Sequence, residues 1–403
     1  MKRIYALGIP IALAVVLAFV LAGCGSSCGG SSGGGGGINF GGTFLGVAMV
    51  GRPEGASATG GSTDVSVIKG LNTTSPVSSA ANTLPTPQSS VDTFALSSDA
   101  TVGLVGGEDT MCKITGINTV PSGGTPVIGT AVSADDGGSA SGFLVHSDNT
   151  TGLLAGASGL HPLTALNTAT PVQGAVFSGG FRTGNDASVN SEDQTVMVIG
   201  SAGHGFSSGL RSSYQVILAA NTNSPTVGAT INLPSGQTDA GYEGNAGMSM
   251  SPADKTRMCI ATNGTVEGVV LVTGLTTTPV VGPVVAVPGL VSGDKVRGCS
   301  ISRDGRFVAV ETMTSVIGFS GVDTGTLTPI SNLLVLDASG GDQNGNLGIH
   351  VALDDSAVFI NNNRTGSFFV VRGHKTTTLS LSATLPLLPS EPGRQDDNAL
   401  LLH

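Results

Sequence analysis

The chain has 403 residues, too many for one ordinary hydrophobic core unless its architecture is repetitive. Charged residues make up only 11%, glycine reaches 62 copies and tryptophan is absent, a mixture that suits short strands and tight turns and disfavours helices. Acids outnumber bases 27 to 17 and no basic patch stands out, so no nucleic-acid partner is expected, because phosphate binding needs the opposite sign.

Lys2 and Arg3 precede an apolar run from Ile4 to Ala22, the pattern of an export signal. The run is nearly long enough to span a bilayer, but small residues follow it at once. The order Leu21-Ala22-Gly23-Cys24 resembles the bacterial lipobox, which implies cleavage after residue 23 and acylation of Cys24, with palmitate-type chains as the membrane anchor. Gly25 stands where an aspartate would resemble an inner-membrane retention signal, so the expected location is the cell envelope at the outer membrane. Residues 24–37 read as a Gly/Ser-rich tether containing Cys28, and residues 38–403 as the folded body.

Within the body one pattern recurs: an apolar strand, a turn with an aspartate, and a second strand. The turn acids are Asp99, Asp148, Asp193, Asp254, Asp304 and Asp354, spaced by 49, 45, 61, 50 and 50 residues. A second marker keeps step, an apolar strand ending in a Thr/Asn/Pro turn, at Leu71, Ile117, Leu166, Ala220, Leu275, Val322 and Gly373. The first copy lacks its opening strand, while "RQDDNALLLH" at the C-terminus supplies an acid turn and strand without the rest. A circular array reconciles the two. The expected fold is all-β, a seven-bladed β-propeller of four-stranded blades closed by the C-terminal strand, which leaves only short protected edges.

"SAVFINNNRTGSFFVV" (Ser356 to Val371), and more loosely "MCIATNGTVEGVVLV" (Met258 to Val272), resemble the repeat of the YVTN/lactonase-like propellers. The resemblance covers about residues 38–403. It implies a seven-bladed propeller, in a family that spans enzymes and surface proteins.

Candidate chemistry is sparse. The six turn aspartates fall on separate blades, so they read as turn-capping residues and not as a carboxylate battery. "GFSSG" (Gly205 to Gly209) beside His204 matches a nucleophile pattern, but it lies in a Gly/Ser loop without the required strand-to-helix elbow. His146 and His350 fall on expected inner strands, where a hydrogen-bonded channel histidine is the simplest reading. Cys259 and Cys299 lie on adjacent expected blades, which leaves open either a bridge or, with Cys112, three buried apolar thiols.

The loops at the end opposite the acid turns form the expected functional face. The binding candidates are Glu108, Asp109, Glu243, Arg297, Glu311, Asn361, Asn362 and Arg364; no catalytic set, metal or cofactor emerges. The favoured reading is a non-enzymatic, lipid-anchored envelope propeller that presents a binding surface to a protein or glycan. The alternatives are a lactonase-like hydrolase or isomerase acting on a small ester at the channel mouth, and an envelope assembly scaffold.

Overall fold

A computed structural model describes residues 46–53, 63–71, 73, 76–80, 82–83, 93–97, 99–107, 110–134, 140–156, 159–177, 183–190, 193–201, 212–240, 247–252, 254–337, 346–352, 354–362, 367–386 and 400–402. All belong to the compact unit Phe40–His403. The described residues are all-β, arranged as a propeller. Six blades are built from consecutive antiparallel strands over residues 93–133, 140–173, 183–232, 237–286, 296–335 and 346–386, called blades 1 to 6 below. A further sheet is composite. It orders Val77–Ser78, Thr63–Lys69, Val47–Pro53 and Leu400–Leu402 side by side, so the C-terminal strand pairs antiparallel with the first strand described.

The core lies between the sheets. Leu104 and Met111 of blade 1 pack on Phe143 and Leu154 of blade 2, and Ala309 and Val316 of blade 5 pack on Ile349 and Phe369 of blade 6. The composite sheet shares one apolar cluster with blade 1, through Met49 and Val67 against Leu96 and Val105. It shares another with blade 6, through Ile68 and Leu71 against Phe359 and Phe368. The C-terminal strand also touches the innermost strands of blades 1 and 6.

Both sequence markers are turn devices at one end of the blades. Each acid-turn aspartate accepts the backbone N–H two residues on: Asp99 from Thr101 at 3.0 Å, Asp148 from Thr150 at 2.8 Å, Asp193 from Thr195 at 3.1 Å. Asp254, Asp304 and Asp354 do the same at 3.0, 3.1 and 3.0 Å. Burial pushes the Asp99 and Asp148 carboxyls upward, but several hydrogen bonds to each outweigh it and hold both at about 2. In the second marker a threonine hydroxyl donates to the carbonyl three residues back, in Thr73, Thr119, Thr168, Thr222, Thr277, Thr324 and Thr376. The accepting residues are Gly or Ala at φ between 52 and 93°, a conformation in which glycine is least strained.

In blades 2, 3, 4 and 6 the residue that follows the turn aspartate reaches back to the preceding blade. Asn149 donates to Asp99 at 2.8 Å, and Lys255 donates to Asp193 at 2.7 Å. Gln194 accepts from the Ser147 N–H at 3.0 Å, and Asp355 accepts from the Arg303 N–H at 2.6 Å. Asn149, Gln194 and Asp355 adopt left-handed φ of 55, 58 and 56°, which turns their side chains across the seam. Lys375 completes the seam between blades 5 and 6, at 2.8 Å from Asp304 and 2.6 Å from Asp355.

Cys259 of blade 4 and Cys299 of blade 5 are joined in a disulfide with Cα atoms 6.5 Å apart, which decides the question the sequence leaves open. Cys112 is free and buried, and burial raises its thiol to about 11.

Replacing Asp355 with alanine removes a seam acceptor that serves two backbone N–H groups and Lys375. The expected loss is about 2 kcal/mol of unfolding free energy in denaturant titration, the cost of leaving such donors unsatisfied. Asn149→Ala, which removes the exposed hydrogen bond to Asp99, loses well under half as much.

Candidate functional site

Counting seven residues on from each turn aspartate reaches the far end of the second strand. Blades 1 to 4 carry Gly106, Ala155, Gly200 and Ala261 there, whereas blades 5 and 6 carry Glu311 and Asn361. Polar side chains therefore enter a slot that the other blades fill with almost nothing. Glu311 is 1% exposed, Arg297 9%, and Asn361 and Asn362 0%.

Two β-bulges shape this place. The ladder between Val296–Ile301 and Phe307–Thr312 slips between Val296 and Gly298, so that Arg297 stands out of register while Gly298 faces Glu311. A Cβ on Gly298 would meet the Glu311 Oε1 at 2.8 Å, so the carboxyl lies where only glycine leaves room. The ladder of blade 6 slips between Asn346 and Ile349, with Gly348 at φ 156°, and the Gly348 N–H donates to the Glu311 carboxyl. Asn361 and Asn362 end the neighbouring strand, opposite Phe368 and Ser367.

Burial drives the Glu311 carboxyl up to about 8, against the opposing pull of the Gly348 N–H and the Arg297 charge. Among the described residues its Oε2 has no hydrogen-bond partner. A carboxyl that titrates near 8 with one oxygen uncommitted gives a proton as the acid and takes one as the carboxylate.

Of the eight binding candidates, Arg297 and Glu311 come together, and Asn361 and Asn362 lie on the adjoining blade. Glu108, Asp109, Glu243 and Arg364 lie outside the described residues, as do Cys24, Cys28 and the "GFSSG" segment. His146 is not a channel residue. It occupies the acid turn of blade 2, with Nδ1 at 2.8 Å from the Thr151 hydroxyl and Nε2 at 2.8 Å from the Ala220 carbonyl. Sequence reasoning missed the two bulges, the Gly298 that leaves room for Glu311 and the Gly348 whose N–H meets it. It also missed Tyr214, whose buried hydroxyl donates to Asp239 at 2.8 Å across blades 3 and 4. Among the described residues no group of three or more His, Cys, Asp and Glu side chains is arranged to hold a metal. Nor is any helix among them long and apolar enough to cross a membrane.

No protein-family model matches the chain, and no curated protein matches it. Solved structures do. The chain is similar to the Pseudomonas aeruginosa periplasmic gluconolactonase, with a TM-score of 0.55, 14% identity, and coverage of 88% of this chain and 99% of that one. It is similar to a candidate 6-phosphogluconolactonase from Bacteroides uniformis, with a TM-score of 0.54, 12% identity and coverage of 85% and 96%. It is also similar to a hypothetical selenium-binding protein from Sulfolobus tokodaii, with a TM-score of 0.63, 11% identity and coverage of 89% and 94%. Likeness at these identities establishes the propeller fold. It also corrects the favoured functional expectation. Two of these neighbours are named for gluconolactone chemistry, which runs against the favoured expectation of a non-enzymatic binding surface.

The folded chain keeps a proton on Glu311 that the unfolded chain releases above about 4.5, so stability falls as pH rises from about 4.5 to about 8. The steepest contribution is about 1.4 kcal/mol per pH unit. In Glu311→Gln this part of the pH dependence disappears, as read from denaturant midpoints across that range.

Proposed function

We propose that the chain is a lactonase-like hydrolase that opens a small cyclic ester at the end of blades 5 and 6. The observation that carries this reading is the Glu311 carboxyl, buried beside Arg297 with one oxygen uncommitted. The fold shared with the Pseudomonas and Bacteroides lactonases supports the choice of substrate class.

In this reading Glu311 takes a proton from water as the water oxygen adds to the lactone carbonyl carbon. Arg297 offsets the negative charge that develops on the carbonyl oxygen. The ring C–O bond then breaks, the ring oxygen receives the proton, and a hydroxy acid leaves. The base form is the carboxylate, so kcat/KM rises with pH through the region of about 8.

Assays with glucono-1,5-lactone and with an unsubstituted six-membered lactone, following acid release, test the proposal. Hydrolysis above the uncatalysed rate is expected, with Glu311→Gln reducing kcat by about 10² or more, the usual span of a lost acid–base group. Hydrolysis no faster than in buffer, or an undiminished Glu311→Gln variant, overturns it.

The composite sheet is in this view the seventh blade, closed by the C-terminal strand. Its shared clusters with blades 1 and 6 support a continuous ring. We further propose an envelope protein anchored through acylated Cys24, with residues 24–37 as its tether, which the lipobox-like order at Leu21 to Cys24 supports. Cys24→Ala is expected to move the protein from the membrane pellet to the soluble fraction after cell fractionation.

A further inference from the structure

The bulge that carries Arg297 is clamped from both sides. Outside it, Asp294, 6% exposed, ties the chain entering blade 5 to the turn that follows Glu311. Its Oδ2 accepts from the Thr312 and Thr314 hydroxyls at 2.8 and 2.9 Å, and its Oδ1 from the Lys295 N–H at 2.9 Å. Thr312 Oγ1 accepts in turn from the N–H groups of Thr314 and Ser315, at 3.3 and 3.0 Å. The Met313 N–H donates to the Lys295 carbonyl at 2.9 Å, which closes the knot. On the other side Asn263 donates to the Val296 carbonyl at 3.1 Å, and Cys299, next to Gly298, is bonded to Cys259.

The residues of the knot are peculiar in sequence to the blade that carries Glu311. Ten residues before each turn aspartate stand Ser89, Gly138, Thr183, Gly244, Asp294 and Asn344, so only blade 5 places an acid there. Eight and ten residues after the aspartate, only blade 5 has two threonines, Thr312 and Thr314. The other blades lack these side chains at the aligned sequence positions, so the repeat pattern does not supply them. A buried acid that could be replaced by a simpler turn residue needs a local reason.

We infer that Asp294 is a positioning residue. Through Thr312 and Thr314 it holds the Arg297 bulge against the Glu311 carboxyl and keeps water from that contact. The inference rests on the proposed reading of Glu311 as the proton-transferring group. Asp294 does not touch the reacting atoms.

Infrared difference spectroscopy, comparing the full-length protein with Glu311→Gln, follows the protonated carboxyl of Glu311 against pH without any substrate. The wild-type midpoint is expected at about 8. Asp294→Asn is expected to lower it by at least about one pH unit, as water reaches the carboxyl. Thr314→Val, which changes no charge, shifts it in the same direction, and Thr314→Ser, which keeps the hydroxyl, restores it. Lys255→Ala, which weakens a distant seam, leaves the midpoint in place. With a hydrolysed lactone, Asp294→Asn lowers kcat roughly tenfold with KM little changed, the pattern of lost transition-state positioning. Asp294→Asn and Thr314→Val proteins that titrate like the wild type overturn the inference while the reading of Glu311 stands. A wild-type protein with no protonated Glu311 at neutral pH overturns the inference as well, whereas an undiminished Glu311→Gln variant in the lactone assay overturns the reading of Glu311.

Discussion

The seam between neighbouring blades at the acid-turn end is the constraint on which the fold depends. A four-stranded blade cannot bury both of its faces by itself, so every apolar cluster here is shared between two sheets. Apolar packing alone tolerates sliding, because it has little directional preference. The polar contacts across the seam supply direction. Each turn aspartate caps its own turn, and in blades 2, 3, 4 and 6 the next residue grips the blade before it, from a left-handed conformation in Asn149, Gln194 and Asp355. One short turn thus sets both the local hairpin and the stagger between blades.

With that end saturated by hydrogen bonds, the opposite end is free to vary. Gly106, Ala155, Gly200 and Ala261 take the aligned position near the end of the second strand in blades 1 to 4 and bring no polar side chain to that point. Blades 5 and 6 place Glu311 and Asn361 at the same point, and two bulges bring the space left by Gly298 and the N–H of Gly348 to the carboxyl. Burying a charged carboxylate there would cost several kcal/mol, and keeping the proton avoids most of that cost. The elevated titration of Glu311 thus follows from where the fold puts it.

The parts of this structure legible in the sequence are those that repeat with the same residue. The aspartates at 99, 148, 193, 254, 304 and 354 and the seven threonine turns share one chemistry, so spacing alone exposes them and the all-β propeller with them. Glu311 is legible for the opposite reason, as a charged outlier at an aligned position. The seam residues escape notice because Asn149, Gln194, Lys255 and Asp355 have no chemistry in common; their shared backbone position does the aligning. His146 misleads because it takes the place that Ser97 and Ser302 fill in their own turns, so its strand-like context hides a turn role. The Cys259–Cys299 bridge depends on the stagger between blades 4 and 5, and the bulges at 297 and 348 on one-residue slips, neither of which periodicity encodes.

Arg297 and Glu311 also set a local charge that changes sign relative to the rest of the molecule. The chain as a whole carries a formal charge of −10, yet below about pH 8 the pair is a cation beside a neutral acid. A neutral cyclic ester meets no long-range barrier in approaching such a site, while the carboxylate formed on ring opening is attracted to Arg297 and repelled by the surrounding surface. Once Glu311 ionises, the pair becomes neutral, the attraction for the new carboxylate weakens, and the product leaves more readily. The same deprotonation that arms the base therefore also loosens the product, so on the proposed reading both steps gain as pH rises through one buried carboxyl.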